Sequence, residues 1–176
     1  MEKENEYIIP ISGLALGIHS FRYEIGDDFF RKMDYSEIQQ GTVNVNVEID
    51  RKETILVLTF NIEGKVRVLC DRCADEFDMP IESQQVFYIK LGTENAEESD
   101  DVVVLTAETH DFDLSSLIYE YIILSLPMQR IHPEGQCNPE VLAMLAEQGE
   151  DDETVEDEET IDPRWATLKD INLNDK

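Results

Sequence analysis

The stretch Thr42–Asp50 restricts the fold more than any other. Val43, Val45, Val47 and Ile49 alternate with Asn44, Asn46, Glu48 and Asp50. Period-two patterning puts the apolar set on one face of a half-buried strand. Arg51–Glu53 turns the chain, and Thr54–Ile62 returns with apolar residues on both faces, which predicts a central, covered strand. Gly64 is expected to end it, with Lys65–Leu69 running on as a further strand. Gly17–Ile25 alternates in the same way, Ile8–Ile11 reads as an edge strand because of Pro10, and Met79–Leu91 reads as extended. Gly92–Asp101 reads as an acidic surface loop, followed by a buried strand at Asp101–Leu105. Hairpin after hairpin implies a mostly antiparallel sheet.

The helical signals are fewer. Asp27–Met33 predicts a short turn with acids first and bases last. Asp111–Leu126 predicts one long helix, with Asp113 as its N-cap, Leu114, Leu117, Ile118, Tyr121 and Ile122 on one stripe, and Pro127 as its stop. That stripe would cover the sheet. The expected class is therefore α+β: a mostly antiparallel sheet, able to close in a barrel-like way, under one long helix. A further short helix is expected from Pro139 to Leu145. Residues 1–147 read as the domain. Residues 148–160 carry eight acids between Glu150 and Glu159 and read as a disordered linker. Residues 161–176 read as a short amphipathic helix with Trp165, Leu168 and Ile171 at helical spacing.

Charge narrows the class of partner. The net charge is −26, with 17 acids against 10 bases through residue 91 and 23 against 4 beyond it. Such a surface opposes general affinity for phosphate backbones, which needs Lys and Arg, and suits a basic protein. No apolar run reaches the roughly 18 residues of a membrane span, and MEKENEYIIP lacks a signal-peptide pattern. Three cysteines, an odd number, argue against a disulfide scaffold. The expected location is the cytoplasm.

Chemistry concentrates at Lys65–Pro80, KVRVLCDRCADEFDMP. Cys70 and Cys73 form a C-x-x-C turn between two extended segments, and paired thiols on one turn can grip a tetrahedral ion. His132 and Cys137, spaced H-x4-C after the long helix, would complete a Cys3His zinc site. The same residues also read as a reduced surface dithiol, or as a redox pair, although redox motifs of this kind open a helix. Arg67 and Arg72, with Lys65, form a local basic spot that could meet a partner or pair with Asp71, Asp75, Glu76 or Asp78. Glu120 interrupts the helix's apolar run and could bond the following loop, pair with Arg72 or Arg67, or face solvent. Catalytic fingerprints are absent, so a non-enzyme is expected.

Four segments together carry a resemblance: GKVRVLCDRCA at Gly64–Ala74, FDMPI at Phe77–Ile81, EYIILSLP at Glu120–Pro127 and DPRWATLK at Asp162–Lys169. In this order over nearly the whole chain they resemble the YceD family of large ribosomal RNA subunit accumulation proteins. The chain is similar to the version found in Bacteroidetes-type bacteria. The resemblance implies a part in accumulation or processing of large-subunit rRNA. It maps the family's C-x-R-C motif onto Cys70, Arg72 and Cys73, its helix glutamate onto Glu120, and its terminal motif onto Asp162, Pro163, Arg164 and Trp165. Many family members carry further cysteines after the L-x-L-P segment; here His132 and Cys137 stand there and later ones are missing. The implied partner is a basic ribosomal protein or a large-subunit assembly intermediate, with Arg67, Arg72, Arg164 and Trp165 as contact residues. The competing reading is a zinc-stabilised adaptor unrelated to ribosomes.

Overall fold

A computed structural model describes residues 7–33, 36–93, 96–99, 101–106 and 109–150. Of the linker expected at 148–160, residues 148–150 instead belong to a helix that runs to Glu150; the rest of it, and the helix expected at 161–176 with Asp162, Pro163, Arg164 and Trp165, lie outside the described residues. The chain divides into two compact units, Met1–Cys137 and Asn138–Lys176. The division falls before the boundary expected at residue 147.

The first unit runs β1 (Ile8–Pro10), a 3-10 turn (Ile11–Gly13), β2 (Gly17–Ile25), α1 (Asp27–Lys32), β3 (Gly41–Arg51), β4 (Ile55–Leu69), β5 (Glu76–Gly92), β6 (Ala96–Ser99), β7 (Val102–Thr106), β8 (Asp111–Asp113) and α2 (Ser115–Leu124). Six strands form one sheet in the order β2-β3-β4-β5-β7-β6, and β1 pairs with β8 in a separate ribbon. Every pairing is antiparallel except β5 with β7. In the second unit, α3 (Pro139–Glu150) starts at its proline, and the Asn138 carboxamide accepts the Glu140 N–H at 3.1 Å.

The alternation in β3 does what its pattern requires: Val43, Val45, Val47 and Ile49 are fully buried. Leu56, Leu58, Phe60, Ile62, Val66 and Val68 of β4 continue that buried face, as do Phe77, Met79, Ile81, Phe87 and Ile89 of β5. β4 is central, but only one of its faces is covered. Ile55, Val57 and Thr59 are half-buried on the other, where no second layer lies among the described residues.

Gly64 does not end a strand, as its type suggested. β4 runs straight through it, opposite Val43. A Cβ at Gly64 would sit 2.6 Å from Val43 Cα, so glycine is there to let β3 and β4 approach closely. The expected loop after Gly92 carries β6, an edge strand against β7. Of β7 only Leu105 is buried; Val102–Val104 are half-buried because the sheet is running out.

The expected α+β class is corrected by the same geometry. Among the described residues the protein is mostly β, its sheet is open with β2 and β6 at the edges rather than barrel-like, and no single long helix covers it. Asp111–Asp113 is a strand, since Phe112 pairs with Ile9 and stacks on Phe87 at 6.1 Å between ring centroids. The Asp113 carboxylate then accepts the Ser115 N–H at 2.8 Å, and the helix begins. Its ten residues span about 15 Å, whereas β5, with seventeen, spans about 56 Å. The buried face is therefore closed by several pieces. Tyr121 of α2 meets Phe60 edge-on at 5.1 Å, Phe29 and Phe30 of α1 pack edge-on at 5.6 Å, and Ile9, Ile11, Ile38 and Leu114 fill the gaps.

Candidate metal centre

The turn of the β4–β5 hairpin is the C-x-x-C itself. Leu69 and Glu76 are the last paired residues. Cys70 N–H donates to Asp75 O at 2.9 Å and Ala74 N–H to Cys70 O at 2.8 Å, with Ala74 left-handed at φ 59°. This tight bend brings both sulfurs to one side.

The second half arrives from the loop after α2. Asp71 N–H donates to Arg130 O at 2.7 Å, and Arg130 N–H returns a bond to Asp71 Oδ2 at 2.6 Å. The Arg130 guanidinium also lies 3.7 Å from Asp71 Oδ1 and 3.3 Å from Glu37 Oε2. Two residues on, His132 lies against Phe77, with 4.4 Å between ring centroids, and presents Nδ1 to Cys73 Sγ at 3.4 Å. A turn follows, with Gln136 N–H donating to Pro133 O at 3.1 Å and Gly135 at φ 79°. It delivers Cys137 Sγ to 3.9 Å from Cys70 Sγ and 3.9 Å from His132 Nδ1.

All four donor atoms lie within 4.8 Å of one another. A tetrahedron with Zn–S near 2.3 Å and Zn–N near 2.0–2.1 Å has S–S edges of about 3.8 Å and S–N edges of about 3.6 Å. The Cys70–Cys137, Cys73–His132 and Cys137–His132 separations of 3.9, 3.4 and 3.9 Å lie close to those edges, and the widest separation stays within 4.8 Å. The three thiols are free, and the 3.9 Å S–S separation is far from the roughly 2.05 Å of a disulfide. Cys70, Cys73 and Cys137 are 2 %, 4 % and 7 % exposed, so the cluster is enclosed. The sequence-predicted quartet is thus brought together, with the composition and closure of a structural zinc site.

The electrostatics suit a cation. Burial pushes the Cys70 thiol up. The backbone N–H groups of Cys73, His132 and Arg72 and the His132 ring outweigh it and bring the thiol down to about 5. Burial pushes Cys137 up, and donating its S–H to the Cys70 and Cys73 sulfurs, together with their negative charge, pushes it further. One thiolate is ready in the protein itself; a metal would draw out the others.

The remaining described candidates supply no donor side chain to this quartet. Arg67 donates through Nε and Nη2 to Asp78 Oδ1, both at 3.0 Å, and Lys65 Nζ donates to Asp78 Oδ2 at 3.1 Å. These bonds, the Lys65 one first, hold the Asp78 carboxyl below its ordinary value. Two members of the basic spot are therefore engaged by a cross-strand neighbour. Arg72 is exposed, and no acid among the described residues pairs with it; Glu120 is exposed on α2, and its carboxylate bonds no described residue. Asp71 was expected as a partner of Arg67 or Arg72, but it pairs with Arg130, which the sequence did not single out.

Comparison with known proteins adds one finding. The family model of the large ribosomal RNA subunit accumulation protein YceD matches residues 58–172. That span takes in most of β4, the cysteine turn, α2 and the His132–Cys137 loop. No curated protein and no solved structure matches the chain. With more than half its length matched by that model, the chain belongs to the YceD family, described as large ribosomal RNA subunit accumulation proteins.

Proposed function

We propose that the protein is a non-catalytic factor in large ribosomal subunit biogenesis. It supports accumulation or processing of large-subunit rRNA by holding a basic ribosomal protein or assembly intermediate in the cytoplasm. The family match over residues 58–172 carries this reading. The net charge of −26 supports a protein rather than RNA as the direct partner, since phosphates would meet mostly acids. Opposite fields would also steer a cationic partner toward it.

One zinc ion would be held by Cys70, Cys73, His132 and Cys137. Bound there, zinc would supply cross-linking of the hairpin tip to the loop after α2. With four protein donors it would keep no open position for substrate. Among the described residues, no helix is long and apolar enough to cross a membrane.

The experiment is a gradient profile of ribosomal subunits from a deletion strain, paired with pull-down by the full chain at low and high salt. A deficit of large subunits, and salt-sensitive recovery of ribosomal proteins, are expected. Normal profiles with no ribosomal material recovered at low salt would favour an adaptor elsewhere in the cell.

A further inference from the structure

β5 is an interior strand that is paired on both sides over only part of its length. β4 accompanies it from Glu76, but β7 pairs with it only from Tyr88 to Gly92. Two hydrogen bonds fix which amides point outward. Tyr88 N–H donates to Asp101 O at 2.8 Å on the β7 side, and Leu91 N–H donates to Thr54 O at 2.9 Å on the β4 side. Alternation then turns the N–H and C=O of Glu82, Gln84 and Val86 to the free edge, and those of Ser83 and Gln85 to β4. Pro80 has the outward parity, so its missing N–H breaks no ladder bond. Glu82, Gln84 and Val86 are exposed, and among the described residues nothing pairs with their backbone on that side.

The solvent face beside this edge is polar and ordered in rows. Glu24, Asn44, Glu63 and Glu82 register across β2–β5, and Arg22, Asn46, Asn61 and Gln84 form the next row. Gln84 Nε2 donates to Asn61 Oδ1 at 2.7 Å. Apart from Glu24, these rows line an open cleft of about 550 Å³ that reaches β5.

We propose that this edge takes up an extended segment of a basic protein as an added β-strand alongside Glu82–Val86. The inference rests on the reading above, that the partner is a cationic protein, and names where it would sit. Main-chain bonds would supply affinity and alternate side chains selectivity. A side chain of the added strand opposite Glu82 would lie about 5 Å away between Cβ atoms, which places a lysine or arginine within reach of Glu82. A second copy of the chain would instead set acid against acid, each copy carrying −26.

The probe is a synthetic peptide of alternating lysine and threonine, added to the full chain and read by amide hydrogen exchange. The expected result is protection of Glu82, Gln84 and Val86 by about tenfold or more, with Ser83 and Gln85 unchanged. Gln84→Pro, which removes an outward N–H as Pro80 already does, and Glu82→Lys, which leaves the backbone alone, should each weaken peptide binding about tenfold. Peptide binding with no protection at residues 82–86, or equal binding by a folded Gln84→Pro or Glu82→Lys chain, would overturn the inference. If wild-type and Gln84→Pro chains recover ribosomal proteins equally, the edge is wrong while the assembly reading stands. If the wild-type chain recovers none while the peptide still protects alternate amides, the assembly reading falls and the edge stands.

Discussion

Asp71 and Arg130 hold each other reciprocally, each donating its backbone N–H to the other, to a carbonyl in one direction and a carboxylate in the reverse. Asp71 stands between the two cysteines of the hairpin turn, and Arg130 stands two residues before His132. The pair therefore fastens the two halves of the metal cluster before any ion is considered. Loss of the carboxylate should loosen the loop that carries His132 and Cys137 rather than the sheet. Asp71→Ala should lower zinc affinity by roughly 10–100-fold, and Asp71→Asn, which keeps an acceptor, should recover part of it. Chelator competition measures both; an unchanged affinity in Asp71→Ala would show that the clamp does not position the ligands.

Zinc affinity should fall as pH is lowered. Ligating sulfur must be thiolate, and Cys137 is pushed up by burial and by its neighbours, so it must lose a proton on binding. Cys70, brought down to about 5, is already ionised at neutral pH. Titration calorimetry in buffers of different ionisation enthalpy should detect proton release. Affinity that does not vary between pH 6 and pH 8, a range set by ordinary thiol titration, would contradict this.

Asp78 gives a prediction for stability. Its folded-state pKa lies below the ordinary 3.8, held there by hydrogen bonds from Lys65 and Arg67. The stabilisation is thus complete above that value and is lost as pH falls toward the folded pKa. Melting curves of wild type and Asp78→Asn should differ at neutral pH and converge in acid. The side chain is 41 % exposed, so the difference should be small and should shrink in high salt. Curves that diverge on acidification would contradict the assignment.

Gly64→Ala should be among the most damaging single-methyl additions to the first unit. The added Cβ meets β3 backbone, 2.6 Å from Val43 Cα, and backbone cannot rotate aside as a side chain can. A loss of about 3 kcal/mol is expected, read by denaturant unfolding. A loss under about 1 kcal/mol would mean that β3 and β4 separate easily there.

What the sequence disclosed follows from the range of the interactions involved. The alternation of Val43, Val45, Val47 and Ile49 is local, and so is the bend at Cys70–Cys73; both were legible. Cys3His could be assembled on paper because metal ligands have few chemical types. Gly64 misled because a glycine that ends a strand and one that admits a neighbouring backbone look alike until β3 is placed beside β4. Asp111–Asp113 was absorbed into a helix because its pairing partner, Ile8–Pro10, lies about a hundred residues away. The pairing of Asp71 with Arg130 stayed hidden for the same reason, the two being 59 apart in sequence.

Metal content of the purified full-length chain, with Cys137→Ser beside it, decides the matter most simply. One zinc ion per wild-type chain, lost or strongly weakened in the variant, is the predicted result. A wild-type chain that is folded, free of metal and unable to take up zinc would contradict the assignment of Cys70, Cys73, His132 and Cys137 as a metal centre.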